Sequence, residues 1–111
     1  MRDHFQEFEI SPELVHEMMD SGEEFVLLDV REDWEWEKAS LEGAIHIPLA
    51  ELKGRTEDLD REMTTIVYCH NGDKSVDACL LLWEEGFRKI RALSGGIALW
   101  SEVIDPEVPR Y

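Results

Sequence analysis

The sequence is poor in positive charge: 11 Lys and Arg residues stand against 26 Asp and Glu residues, giving a net charge of −15 at pH 7. An acidic surface repels the phosphates of nucleic acids and of anionic lipids. The sequence therefore predicts neither a nucleic-acid-binding protein nor a membrane-surface protein. It is compatible with a soluble protein and with a basic partner protein.

Long hydrophobic runs are also missing. No apolar run approaches the roughly 20 residues that a membrane-spanning helix requires, and residues 1–7 are polar and lack the apolar core of a secretion signal. The two cysteines, Cys69 and Cys79, are too few for the disulfide framework of a small secreted domain. From these absences we expect a reduced, cytoplasmic protein.

Metal-ligating residues do not cluster along the sequence. The four histidines are scattered: His4, His16, His46 and His70. The spacing of Cys69 and Cys79 matches none of the close ligand pairs that zinc sites use. We therefore predict no metal site.

What the chain does have is a regular alternation of apolar runs and amphipathic segments. Its 111 residues, 43% of them hydrophobic, suffice for one packed domain and not for two. Strands are predicted at 25–30, 44–47, 65–68 and 89–93. Strands that alternate with helices are typical of an α/β fold with an open parallel sheet and helices on both faces.

Helix signals lie between the strands. Ser11 followed by Pro12 predicts a helix start with Ser11 as the N-cap. A short helical turn is predicted within 31–38, a helix interrupted near Gly54 within 49–59, and a last helix after 95–96. Another helix follows the third strand, and one apolar face of it is predicted to contain Val76, Cys79, Leu80 and Trp83.

Residues 69–75, with the sequence CHNGDKS, follow the clearest strand, and a helix is predicted to begin at Ser75 or Val76. In an open parallel sheet, ligands bind outside the carboxyl ends of the strands, and Cys69 stands at such an end. A short loop before a helix turns several backbone N–H groups towards one centre, and Gly72 permits the curl. We expect an exposed, anion-binding loop.

Cys69 has two possible roles in this loop. Backbone N–H groups, the helix dipole and Lys74 would favour its thiolate, which is the nucleophilic form. A free cysteine at the end of an apolar strand is otherwise commonly inert, because free Cys is among the most buried residue types. The loop alone does not separate the two roles. For Cys79, on an apolar helix face, we predict packing.

Several segments, taken together and in order, resemble the rhodanese family of sulfurtransferases. They are 10–14 (ISPEL), 28–32 (LDVRE) with 34–35 (WE), 43–49 (GAIHIPL), 66–69 (IVYC), 85–87 (EGF) and 93–97 (LSGGI) with Trp100. The resemblance implies a single rhodanese-like domain over 8–104, with an open, five-stranded parallel sheet and helices on both faces. Short tails would flank it at 1–7 and 105–111.

The resemblance also implies a chemistry. Cys69 would take a sulfane sulfur from a donor such as thiosulfate, hold it as a persulfide, and pass it to a thiol or to cyanide. No cofactor is needed, and the partners would be a small sulfur donor, a thiol acceptor and possible proteins of a sulfur relay. The following residues would cradle the persulfide: His70, Asn71, Gly72, Asp73, Lys74 and Ser75. Asp29 and Arg31 would form a buried or half-buried supporting pair, and His46 and the tryptophans would pack the domain.

Spacing distinguishes sulfur transfer from phosphate transfer in this fold. The related phosphatases have an arginine after a cysteine and five residues, a position that Ser75 holds here. The basic residue is Lys74, which lacks the planar donor fork that a transferring phosphoryl group calls for. The family often has arginine where Lys74 stands, and Asp73 adds a charge that opposes an anionic donor. The alternatives are a rhodanese-fold binding or regulatory module and a persulfide carrier with little turnover.

Overall fold

Five parallel strands form the central sheet of the structure, a computed structural model that describes residues 8–111. In chain order they are β1 (Glu9–Ile10), β2 (Val26–Asp29), β3 (Ile45–His46), β4 (Thr65–Tyr68) and β5 (Ile90–Leu93). Across the sheet the order is β1, β5, β4, β2, β3. The predicted α/β fold with five parallel strands is confirmed, and β1 is an edge strand that the sequence patterns do not single out.

Helices connect the strands. They are α1 (Pro12–Asp20), α2 (Asp33–Lys38), α3 (Leu49–Leu52), α4 (Asp73–Glu84) and α5 (Gly96–Val103), with a 3-10 helix, Lys53–Asp58, after α3. The predicted start of α1 is confirmed, because the Ser11 hydroxyl accepts a hydrogen bond from the N–H of Leu14 at 3.2 Å. The predicted interruption near Gly54 is the change from α-helix to 3-10 helix.

The predicted start of α4 at Ser75 or Val76 is wrong, since the helix begins at Asp73. Gly72 is its N-cap and has a φ of 108°, a conformation that residues with a side chain rarely adopt. This turn at Gly72 leads the chain directly from the loop into the helix. The connection between β4 and α4 is therefore shorter than the sequence indicated.

Side chains of β4 alternate between the two layers that cover the sheet. Ile66 and Tyr68 belong to one apolar cluster, together with side chains of α1 and α5. Val67 and Cys69 belong to the other cluster, together with side chains of α3 and α4. Cys69 therefore lies on the same side of the sheet as the helix that follows it.

The buried face of α4 differs from the predicted one. Its buried residues are Ser75, Val76, Ala78, Cys79 and Leu82. Trp83, predicted on this face, is 45% exposed and lies beneath the guanidinium of Arg88, whose central carbon is 3.9 Å from the ring centroid. The polar Ser75 takes a place in the buried stripe that apolar spacing alone could not assign.

The order of the strands creates a crevice between β2 and β4. The chain leaves β2 for β3 on one side and leaves β4 for β5 on the other side. At such a switch point the connections diverge, and ligands of open α/β sheets bind there at the carboxyl ends of the strands. Asp29 of β2 stands beside Tyr68 of β4, so the residues that follow both strands meet at this edge.

The domain bounds, 8–104 with tails at 1–7 and 105–111, stay a prediction. Residues 1–7 lie outside the described part of the chain. Residues 105–111, predicted as a loose tail, follow α5 and pack on the domain: Val108 contacts the apolar cluster on the α1 and α5 side. Among the helices of residues 8–111, none is long and apolar enough to cross a membrane.

Candidate active site

The loop after β4 places Cys69 at the start of α4. The residue is 2% exposed, and its Sγ accepts a hydrogen bond from the N–H of Gly72 at 3.1 Å. The first N–H groups of any helix lack acceptors within the helix, so the sulfur lies where backbone donors are available. The expectation that loop polarity would expose Cys69 is wrong: the residue borders a cleft but is itself buried.

A glycine at the start of α5 lies directly against this loop. The N–H groups of Ile97 and Ala98 donate to the carbonyl oxygens of Cys69 and His70, both at 2.9 Å. Gly96 has a φ of 61°, and a Cβ at this position would lie 2.6 Å from the oxygen of His70. Any larger residue would have to displace the loop, so this glycine permits the contact between α5 and the Cys69 backbone.

The first turn of α4 is polar. Asp73 is at its first position, where a negative charge interacts favourably with the helix dipole by about 0.3–1 kcal/mol, and its N–H donates to Asn71 Oδ1 at 3.3 Å. Ser75 is buried, and its hydroxyl donates to the carbonyl of Gly72 at 2.9 Å. The charge of Asp73 therefore has a structural role, and Ser75 holds the loop together.

Asp29 and Arg31 form a buried ion pair beside the loop, as the resemblance to the rhodanese family implied. Arg31 is 1% exposed and Asp29 is fully buried, with Nη2 of Arg31 2.6 Å from Oδ2 of Asp29. Nη2 also donates to the carbonyl of Ala39. Burial alone would lower the pKa of Arg31, but its hydrogen bonds to Asp29 and Tyr111 outweigh burial and raise the pKa above its usual value. The guanidinium is therefore a permanent cation.

Tyr111 covers the other side of the Arg31 guanidinium. The tyrosine hydroxyl accepts a hydrogen bond from Nη1 of Arg31 at 2.7 Å and donates to Oε2 of Glu35 at 3.0 Å. Its ring meets the rings of His70 and Trp34 edge-on, with centroid distances of 4.7 and 5.8 Å. Residues far apart in the sequence thus form one wall beside Cys69.

These groups enclose a cleft of about 370 Å³. The structure brings five of the predicted loop residues to it: Cys69, His70, Asn71, Asp73 and Lys74. Arg31 reaches the cleft from the β2 side. Asp29, Gly72 and Ser75 lie behind this first layer and support it through the hydrogen bonds described above.

Sequence reasoning missed three residues that line the cleft: Trp34, Glu35 and Tyr111. The sequence did contain a signal for Trp34. A tryptophan that is surrounded by charged residues does not belong to an apolar helix face, which argues against a place in the core. Trp34 is 54% exposed, so its predicted role in packing is wrong. Nothing in the local pattern around Tyr111 indicates that it lies beside Arg31.

Cys79 and His46 pack in the structure as predicted. Cys79 is fully buried, and burial raises the pKa of its thiol to about 12. The ring of His46 stacks on Trp36 with centroids 4.8 Å apart, and Nε2 of His46 donates to the carbonyl of Arg31 at 2.7 Å. His46 therefore supports the backbone of Arg31 from outside the cleft.

His70 brings one unsatisfied polar atom to the site. Within residues 8–111 its Nδ1 is buried and has no hydrogen-bond partner. In the same part of the chain, no group of three or more His, Cys, Asp or Glu side chains is arranged to hold a metal ion. Most buried nitrogens of this kind are paired in folded proteins, so His70 is an exception within the site.

Comparisons with known proteins place this arrangement in a family. The family model of the rhodanese-like domain matches residues 11–103. YrkF of Bacillus subtilis, provisionally named a sulfur carrier protein, is 37% identical over 93 residues, which are 84% of this chain and 50% of YrkF. The chain thus spans half the length of that relative. The thiosulfate sulfurtransferase GlpE of Coxiella burnetii is 32% identical over 77 residues, 69% of this chain and 72% of GlpE.

A solved structure agrees with the sequence relatives. A rhodanese-related protein from Thermoplasma volcanium superposes with a TM-score of 0.76 at 31% identity, over 85% of this chain and 90% of that one. The named relatives support sulfur transfer as the general activity and specify no donor for this protein. The chain belongs to the rhodanese-like domain family.

Proposed function

We propose that the protein is a sulfurtransferase that works through a persulfide on Cys69. The observation that carries this proposal is the position of Sγ: it accepts the N–H of Gly72 at the start of α4 and borders a cleft. Backbone N–H donors and a helix N-terminus favour a thiolate over a thiol. The same donors suit the negative terminal sulfur of a persulfide.

The reaction balances without a cofactor. The Cys69 thiolate attacks the sulfane sulfur of a donor such as thiosulfate, a new S–S bond forms, and the bond from that sulfur to the sulfite group breaks. Sulfite leaves with the electron pair. An acceptor thiolate or cyanide then attacks the terminal sulfur and regenerates the Cys69 thiolate.

Intact mass spectrometry tests this proposal. Incubation with thiosulfate or another sulfane donor should add the mass of one sulfur atom to the protein, and a thiol should remove it. The adduct should be absent in Cys69→Ser and present in Cys79→Ser, which is the matched control because Cys79 lies in the apolar core. If no donor among several produces the adduct, the proposal fails.

A persulfide carrier is a second candidate, favoured by the charges of the cleft. Glu35 and Asp73 line it together with Lys74, and two carboxylates oppose a dianionic donor such as thiosulfate. A carrier would receive its sulfur from a protein persulfide in a sulfur relay. This candidate predicts rapid loading from a persulfide donor and slow loading from thiosulfate, measured as the rate of the mass increase.

A further inference from the structure

The hydroxyl of Tyr111 lies between the two charged groups of the cleft wall. It accepts from Nη1 of Arg31 at 2.7 Å and donates its single proton to Glu35 at 3.0 Å. Arg31 and Glu35 both line the cleft. One hydroxyl therefore forms a hydrogen bond with each of these two groups.

The other nitrogens of Arg31 are directed away from any ligand. Nε donates to both oxygens of Asp29, at 3.0 and 3.1 Å, and Nη2 donates to Asp29 and to Ala39. The hydrogen bond that the structure gives Nη1 within residues 8–111 goes to Tyr111. Nη1 carries two N–H groups, and the one that donates to Tyr111 could donate to a ligand if the hydroxyl were absent.

The net charge of the groups that line the cleft affects how an anionic ligand binds there. The charges of Arg31 and Asp29 compensate each other within the buried pair. Among the remaining groups at the cleft, Glu35 and Asp73 are negative and Lys74 is positive. An anion that enters the cleft therefore meets two carboxylates and one ammonium group, and the Tyr111 hydroxyl occupies one of the two N–H groups of Arg31 Nη1.

We propose that the Tyr111 hydroxyl sets the charge preference of the cleft. By accepting one N–H of Arg31 Nη1 and donating to the Glu35 carboxylate, it disfavours doubly charged sulfur donors relative to singly charged ones. Tyr111 is a specificity-determining residue in this scheme and takes no part in the bond changes. The inference deepens the proposed sulfur transfer by naming the donor class, and the binding preference can be measured without turnover.

Substitution of Tyr111 by Phe isolates the hydroxyl. The ring and its edge-on contacts with His70 and Trp34 remain. The Nη1 N–H that donates to Tyr111 is then available to an oxygen of a bound dianion. A hydrogen bond between charged groups corresponds to about tenfold or more in affinity.

Calorimetric titration in a Cys69→Ser background, which prevents sulfur transfer, tests the proposal with two ligands of matched shape. Thiosulfate is a dianion, and the methanethiosulfonate anion has a methyl group in place of one charged oxygen. Tyr111→Phe should tighten thiosulfate binding about tenfold and methanethiosulfonate binding by less. Thermal unfolding of each variant verifies that it is folded.

A second pair of variants tests the carboxylate. Glu35→Gln should also shift the preference towards thiosulfate, because it removes a negative charge from the cleft wall. Glu37→Gln on the same helix makes the same change in net charge, and Glu37 is exposed. It should leave the ratio of the two dissociation constants unchanged.

Three results would overturn the inference: an unchanged ratio in Tyr111→Phe, equal effects of Glu35→Gln and Glu37→Gln, or no thiosulfate binding in either Tyr111 form. These results are separate from a failure of sulfur transfer. That failure would appear in the protein with Cys69 intact as the absence of a sulfur adduct with every donor, whatever the binding constants are.

Discussion

The two cysteines of the chain are both almost fully buried, at 2% exposure for Cys69 and 0% for Cys79, and they belong to the same apolar cluster. Their surroundings differ. The sulfur of Cys69 has a backbone N–H at 3.1 Å and a cleft beside it, whereas burial raises the pKa of Cys79 to about 12. Burial by itself therefore does not determine what a thiol can do. The hydrogen-bond donors around the sulfur and the cleft beside it determine its reactivity.

The largest difference between Cys69 and Cys79 should appear in their rates of alkylation by iodoacetamide at pH 8. With a pKa of about 12, about one Cys79 thiol in ten thousand is ionised at this pH, and the thiolate is the reactive form. Peptide mapping of the native protein should locate the label at Cys69. Labelling in urea supplies the control, since both cysteines should then react. Equal labelling of the native protein at the two positions would contradict the comparison.

Gly96→Ala should disrupt the Cys69 region while leaving Cys79 in place. The added methyl group would press on the His70 carbonyl at 2.6 Å, and a φ of 61° is strained for alanine. We expect at least a tenfold loss in the rate of persulfide formation, because the loop must shift, and misplacement by about 1 Å costs up to 100-fold. The rate of the mass increase with a sulfane donor measures this.

Gly54→Ala is the matched control for that substitution. Gly54 has open space within 4 Å of an added Cβ, so the same change in composition occurs without a collision. Its rate of persulfide formation should equal that of the unmodified protein. A Gly96→Ala protein with an undiminished rate would show that α5 does not hold the Cys69 loop.

Cys79→Ser should affect stability and leave sulfur transfer intact. A hydroxyl placed in the apolar cluster around Cys79 is buried without an assured partner, which costs about 1–3 kcal/mol of unfolding free energy. Urea denaturation should show this loss, while loading of Cys69 proceeds at the original rate. A slower loading rate in a fully folded Cys79→Ser protein would mean that the two cysteines are not independent.

The last expected effect is a dependence of stability on alkaline pH. Because the folded protein holds the Cys79 proton up to about pH 12 while an unfolded cysteine loses it near pH 8.5, the unfolded state binds fewer protons between these values. Stability is therefore complete below this window and falls as pH rises through it, by at most about 1.4 kcal/mol per pH unit. Urea denaturation at several pH values between 9 and 11 measures how the free energy of unfolding changes with pH. That free energy should fall less steeply with pH in Cys79→Ala than in the unmodified protein.

Local patterns were sufficient for the parts of the fold that local forces determine. The apolar strand 65–68 and the Ser11 N-cap could be predicted because propensity and capping act over a few residues. The same holds for Cys69 at the carboxyl end of a strand. The buried pair of Asp29 and Arg31 came from the resemblance to a family.

The parts that could not be predicted depend on distant contacts. Tyr111 meets Arg31 across 80 positions of sequence, and no periodicity reports such a contact. Cys69 is buried because it joins the apolar cluster that includes side chains of α3 and α4, whereas the polarity of its own loop indicated exposure. Trp34 was misassigned for a related reason: the wall that it forms exists only when α2 and Tyr111 are brought together.

The hydrogen bonds from the start of α5 to the Cys69 loop make two amides into reporters of the site. The N–H groups of Ile97 and Ala98 donate to the carbonyls of Cys69 and His70, so these amides can exchange with solvent deuterium when the loop separates from the helix. Their protection factors measure how often the Cys69 backbone opens. Opening of the loop can thus be followed from a neighbouring helix, without a probe attached to the cleft.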